Sequence, residues 1–222
     1  MRTASDGFLG GAPPQRVRAV NRAGVRAQGA FVLYWMIAAR RPHSNFALDR
    51  AMAWAVELRR PLVVLEALRV DYPFASARLH RFVLDGMADN ALAFRDSPVL
   101  YVPFVEPEAG QGRGLLEAWA ADAAVVVTDD FPCFFLPAAV AAVGARLDVR
   151  LETVDSNGLL PLSALPQAYP AAVHHRRFMQ RVFREHVIHQ PVEAPTLHAL
   201  PPRLSAVPET IARRWSSATS EL

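Results

Sequence analysis

The chain has 222 residues, 52% of them hydrophobic, with a mean hydropathy of +0.12. That is ample for a buried core and excludes a wholly disordered chain. The formal charge is only +3, yet all 24 basic side chains are arginine. Such a set keeps its charge at any working pH and suits phosphate or carboxylate contact, and a genome's codon bias would also produce it.

Residues 1–29 read as a lead-in without the apolar run that a signal peptide requires. The most apolar stretches, AFVLYWMIAA and FPCFFLPAAVAAVGA, fall short of the roughly 20 residues of a membrane-spanning helix. The single cysteine, Cys133, allows no internal disulfide, so a reducing, cytoplasmic setting is expected.

The first strand is FVLYWMI (31–37), which breaks into the polar turn AARRPHSN and continues as a helix from Asn45 to Arg59. Phe46, Leu48, Ala51, Met52, Ala55 and Val56 recur there at helical spacing. After Pro61 comes a second strand, LVVLEAL (62–68), then a long helix from Ser76 to Phe94 with Ser76 as its N-cap. Leu79, Phe82, Val83, Gly86, Met87 and Leu92 are expected along one side of that helix. A third strand, PVLYVPFV (98–105), leads into the glycine-rich EAGQGRG and a helix over Leu115–Ala121. AAVVVTDD (123–130) and DVRLETVD (148–155) are the fourth and fifth strands, separated by the helical FLPAAVAAVGA.

Near-continuous apolar strands alternating with helices indicate a parallel sheet covered on both faces. The predicted fold is therefore α/β, a Rossmann-like doubly wound sandwich with a five-stranded parallel sheet. The α/β domain spans 30–155. Residues 156–222 form a connector, with one basic helix in AAVHHRRFMQRVFREHV and an extended, proline-rich tail.

Ligands of such sheets bind at the carboxyl ends of the strands, which selects residues 36–45, 66–69, 104–106, 128–131 and 155–157. Asp, Asn and Ser at these places also serve as turn formers and helix caps. The dinucleotide fingerprint is absent after the first strand, and GQGRG lacks a P-loop lysine and reads as a flexible surface loop. No serine sits in a nucleophile elbow. Cys133 sits among apolar residues, as an inert core thiol does. The seven histidines form no metal-binding pattern, and no catalytic or metal-binding residue is assigned. Asp129 and Asp130 could position a ligand or a metal ion, or cap the helix that follows. Arg176, Arg177, Arg181 and Arg184 give the basic helix a charged face, either for a phosphate backbone or simply solvated.

GAFVLYWMIAARRPHSNFALDRAMAWAVELRRPLVVLEAL resembles the opening of the class II cyclobutane-pyrimidine-dimer DNA photolyases, in which a YWM strand precedes arginines and an N-x-AL helix start. YPFASARLHRFVLDGMADNALAF, VVVTDDFPCFFLP, VDSNGLLPLSAL, AAVHHRRFMQRVF and LPPRLSAVPETIARRW are similar to later parts of the same domain and its connector. The resemblance runs from about Arg16 to Trp215. It implies an N-terminal antenna domain of a light-driven DNA repair enzyme, a carbon–carbon lyase. The FAD, the electron-relay tryptophans and the lesion pocket would then lie in a helical C-terminal domain, missing from this fragment and its partner in the full-length protein. Trp35, Trp54, Trp119 and Trp215 match no relay position and are expected to pack.

In that resemblance the turn above the first strand borders an antenna pocket for a deazaflavin or folate chromophore. Trp35, Met36, Arg40, Arg41 and Asn45, with Glu66, Phe104 and Asp129, are expected to line it. The aromatic side chains would stack on a flat ring while arginines hold its anionic tail; Asn45 alternatively caps the helix. The residues by themselves leave two other readings open, a free-standing nucleotide- or flavin-binding module and a protein- or DNA-interaction module.

Overall fold

The computed structural model describes residues 11–193 and 197–218. Its centre is β2 (Phe31–Met36), whose strand period sends Phe31, Leu33 and Trp35 to one face and Val32, Tyr34 and Met36 to the other. Both faces are apolar, so both must be covered. Strands β3 (Leu62–Leu68) and β4 (Val99–Val105) flank it on one side, and β5 (Ala123–Asp129) and β6 (Leu151–Val154) on the other. All four neighbour pairs among these five strands are parallel.

The five parallel strands read from the sequence are joined by a sixth. Residues Val17–Ala19 form β1, antiparallel to β6 with Val17 opposite Val154, and the sheet order is β1-β6-β5-β2-β3-β4. Three residues are too few to show a period, and β1 is held from outside itself. The buried Arg16 guanidinium donates to the carbonyls of Asp155 (3.0 Å), Gly158 (2.7 Å) and Leu159 (2.8 Å) and lies over the Phe46 ring.

Helices α1 (Phe46–Leu58) and α2 (Ala77–Phe94) carry the chain outward from β2 to β4 and cover one face. Helices α3 (Leu115–Ala121) and α4 (Leu136–Gly144) carry it from β4 to β6 over the other. Right-handed crossovers in opposite directions require this split, and it makes β2/β5 the switch point. Asn45 caps α1, accepting from the amides of Ala47 and Leu48, and Ser76 caps α2 through the Leu79 amide. The apolar side expected for α2 is corrected: Leu79, Phe82 and Leu92 are exposed, and Met87, Asn90 and Phe94 are the buried residues. No helix among the described residues is long and apolar enough to cross a membrane.

Beyond the sheet, α5 (Ala172–Val187) buries only Phe178, while α6 (Glu209–Ala212) brings Ile211 and the nearby Trp215 into the α3/α4-side core. Leu200 enters the opposite core. The segment after α5 is strapped to the start of α1: Val192 donates to Asp49 Oδ2 (3.0 Å) and accepts from the Ser44 amide (2.9 Å). Burial pushes the Asp49 carboxyl up to about 7, against the opposing pull of the Val192 amide.

This buried acid sets a pH dependence. Between about pH 4, where an unfolded Asp titrates, and about 7, the folded chain retains a proton that the unfolded chain has lost. Stability is therefore expected to fall as pH rises through that window. Asn at position 49 can still accept from Val192. Urea midpoints measured from pH 4 to 8 should show a flatter profile for Asp49→Asn and a higher midpoint than wild type at pH 8; matching slopes would contradict the assignment.

Candidate functional site

At the carboxyl edge of the sheet the chain leaves the ladder, and its backbone amides need new acceptors. Above β2 that acceptor is Asp129. Its Oδ2 takes hydrogen bonds from the amides of Ile37 (2.9 Å), Ala38 (2.7 Å) and Ala39 (3.1 Å), and its Oδ1 from the Tyr34 hydroxyl (2.8 Å). Burial pushes the Asp129 carboxyl above its ordinary range, while donors from Ala38, Ile37, Tyr34 and Ala39 pull it back. Tyr34 is driven well above its ordinary range by burial first and then by Asp129, so its hydroxyl stays a donor. Asn45 completes the knot by donating to Tyr34 Oη, the Ala39 carbonyl and the Arg41 carbonyl.

A second buried carboxylate shapes the loop after β4. Glu106 Oε1 accepts from the amides of Gly110 and Gly112 (2.9 Å each), and Oε2 from Val70 (3.1 Å). Gly112 lies so close that a Cβ would stand 3.2 Å from Glu106 Oε1 and 3.3 Å from the Phe104 ring. Gly110 and Gly114 take φ values of +87° and +85°, which disfavour any residue with a Cβ. GQGRG is thus a tied loop.

Between these loops, on the α3/α4 face, lies a cleft of about 750 Å³. Trp35, Leu65 and Phe104 form its sheet side, Leu116 and Val143 come from the two helices, and Tyr72, Phe134 and Phe135 stand at the loops. Phe134 also stacks with Phe74 of the β3–α2 loop, ring centres 6.0 Å apart at 21°. Both phenylalanines hold left-handed backbones, with φ of +67° and +68°. Three ion pairs border the cleft: Arg40–Glu66 (3.0 Å), Arg69–Asp71 (2.8 Å) and Arg146–Glu117 (2.8 Å).

Of the eight residues expected to line a pocket, Trp35, Arg40 and Phe104 do so. Glu66 stands behind Arg40, fixed also by the Tyr101 hydroxyl (2.7 Å) and Asn90 (2.9 Å). The other four are not among the residues that line this cleft. Met36 faces the α1/α2 layer because strand alternation sets it opposite Trp35. Asn45 and Asp129 are consumed by loop amides and carbonyls, and Arg41 donates to the Ser44 carbonyl. Asp129 and Asp130 do not cap α4, whose N-cap is Phe135 with no side-chain bond; Asp130 pairs with the exposed Arg18. Cys133, expected in the core, is exposed. The sequence reading missed Tyr72, Phe134, Phe135 and Arg113 at the cleft. The aromatic run FPCFF after a strand end was the available signal.

The fold and cleft together define a Rossmann-like α/β domain with a ligand-sized, aromatic-lined site at the carboxyl edge. No family model matches the chain. Over 148 residues it is 32% identical to a deoxyribodipyrimidine photo-lyase of Methanothermobacter thermautotrophicus, a match that covers 67% of this chain and 32% of that protein. The likeness supports a photolyase-like relationship, and the chain spans about a third of the length of that curated relative.

Replacing Asp129 with Ala would leave three amides, that of Ala39 buried, and the buried Tyr34 hydroxyl without this acceptor, at an expected cost of about 3 kcal/mol. Asp130→Ala removes an exposed ion pair and one long hydrogen bond from the Thr153 hydroxyl (3.3 Å), and is expected to cost below about 1 kcal/mol. Denaturant unfolding of the two variants side by side measures the difference, and equal losses would refute the role given to Asp129.

Proposed function

We propose that this chain is the antenna-carrying α/β domain of a class II photolyase-like protein and that the α3/α4-side cleft holds a flat chromophore of the deazaflavin or folate type. The carrying observation is the cleft itself: about 750 Å³, floored by Trp35, Leu65 and Phe104 and edged by Phe134 and Phe135. Small-molecule sites run from roughly 300 to 1,000 Å³ and are mostly apolar with a few placed polar groups. When bound, such a chromophore absorbs light and passes the energy to a second cofactor.

The residues' own part is to bind, orient and desolvate. Trp35 on β2 and Phe104 on β4 offer aromatic surface on either side of β3. Arg40 is fixed by Glu66 and the Ala67 carbonyl (3.0 Å), so it serves as a rigid polar edge. In this reading light-driven, FAD-dependent repair of DNA belongs to the full-length protein. A helical domain there carries the FAD and meets the DNA, and this domain alone is not catalytic. The 148-residue likeness to a deoxyribodipyrimidine photo-lyase supports that assignment.

A second reading, a DNA- or protein-docking module, draws on α5. Arg177, Arg181 and Arg184 recur at i, i+4 and i+7, are exposed, and have no acidic partner among the described residues.

Titration of the chain with 8-hydroxy-5-deazariboflavin and with a reduced folate, followed by chromophore fluorescence, tests the first reading. Saturable binding of one of them is expected, weakened about tenfold in Trp35→Leu through lost ring contact. Binding of neither, or binding unaffected by Trp35→Leu and Phe104→Ala, would refute it.

A further inference from the structure

We infer that Arg113 is the anion-reading residue of the cleft, and that a flat-ring ligand bound there carries one short, phosphate-terminated tail. The inference rests on the cleft reading above and deepens it.

Two backbone amide clusters that could receive a phosphate are already filled. Asp129 occupies the amides of residues 37–39, and Glu106 those of 70, 110 and 112. A ligand's anion therefore finds no free backbone cradle in either cluster, and the cleft's arginines are side chains able to meet it. Four arginines line the cleft: Arg40, Arg69, Arg113 and Arg146. Three are neutralised by Glu66, Asp71 and Glu117. Among the described residues, the Arg113 guanidinium alone of the four has neither a carboxylate partner nor a hydrogen-bond acceptor.

Its mounting is rigid even though the side chain is exposed. The loop that carries it is tied by Glu106 to two of its amides, by the Arg113 amide to the Gly110 carbonyl (3.2 Å), and by Trp215 Nε1 to the Gln111 carbonyl (2.9 Å). Gly110 has no side chain to obstruct the guanidinium, whose Nε would stand 3.4 Å from a Cβ built there. The fixed backbone places the guanidinium beside the cleft, and only the side chain has to be ordered when an anion binds. One unpaired cation matches one anionic group, which favours a mononucleotide-like tail over a dinucleotide's pyrophosphate.

Riboflavin and flavin mononucleotide differ only by the terminal phosphate, so the ratio of their dissociation constants on the full chain isolates the tail. The mononucleotide is expected to bind about tenfold tighter, the effect of one charge-assisted hydrogen-bond set. That ratio should fall to about one in Arg113→Gln and partly return in Arg113→Lys, with circular dichroism and Tm unchanged because the guanidinium holds no internal partner. Flavin adenine dinucleotide should bind no tighter than the mononucleotide. Equal binding of the first two flavins to wild type, or a ratio that survives Arg113→Gln, would overturn this inference and leave the cleft reading standing. Failure of every flavin, deazaflavin and reduced folate to bind would overturn both.

Discussion

The buried carboxylate of Asp129, at the end of β5, shapes the whole upper edge of this domain. Three consecutive amides of the chain leaving β2 converge on one of its oxygens and a buried tyrosine hydroxyl on the other. Those amides stand at the switch point, where many doubly wound sheets seat a ligand phosphate. Here the chain supplies the anion itself. The turn is therefore shaped without any ligand, and Asn45 can both cap α1 and tie back into the same knot.

The same arrangement recurs along the edge. Glu106 fills the amides of the β4–α3 loop, and Asp155 accepts from the amides of Asn157 and Leu162 after β6. Buried amides are costly without acceptors, so each carboxylate stabilises its loop in one form. What remains open is the α3/α4 face, where the loops diverge over Trp35, Leu65 and Phe104.

Arginine serves different ends in different places. Arg50 lies over the Trp54 ring, and with Arg150 it holds the fully buried Glu152. Burial alone would raise that carboxyl, yet the Arg50, Trp54 and Arg150 bonds leave it below its ordinary range. Arg16 pins the lead-in to the carbonyls after β6. Other guanidiniums, among them Arg113 at the cleft and Arg177, Arg181 and Arg184 along α5, have no acidic partner among the described residues and are open to a partner of opposite charge.

The parallel strands, their helices and the caps at Asn45 and Ser76 were legible in the sequence, because apolar period and cap chemistry are local properties. So was the edge of the sheet where the cleft lies, since topology alone selects the carboxyl ends. Individual site residues were not. Asp129 looks like a helix cap in the text, but the amides it serves lie about 90 residues upstream. Met36 is adjacent to Trp35 in the text, yet the strand period places it on the far side of the sheet. The three-residue β1, the exposed Phe82 of α2 and the free guanidinium of Arg113 depend on what stands opposite them in space. Sequence by itself determined the elements and the edge that carries the site, because backbone preference and hydrophobic period act over a few residues. Only the tertiary structure decided which polar groups are consumed by the fold and which remain for a ligand, because that depends on contacts between segments far apart in the chain.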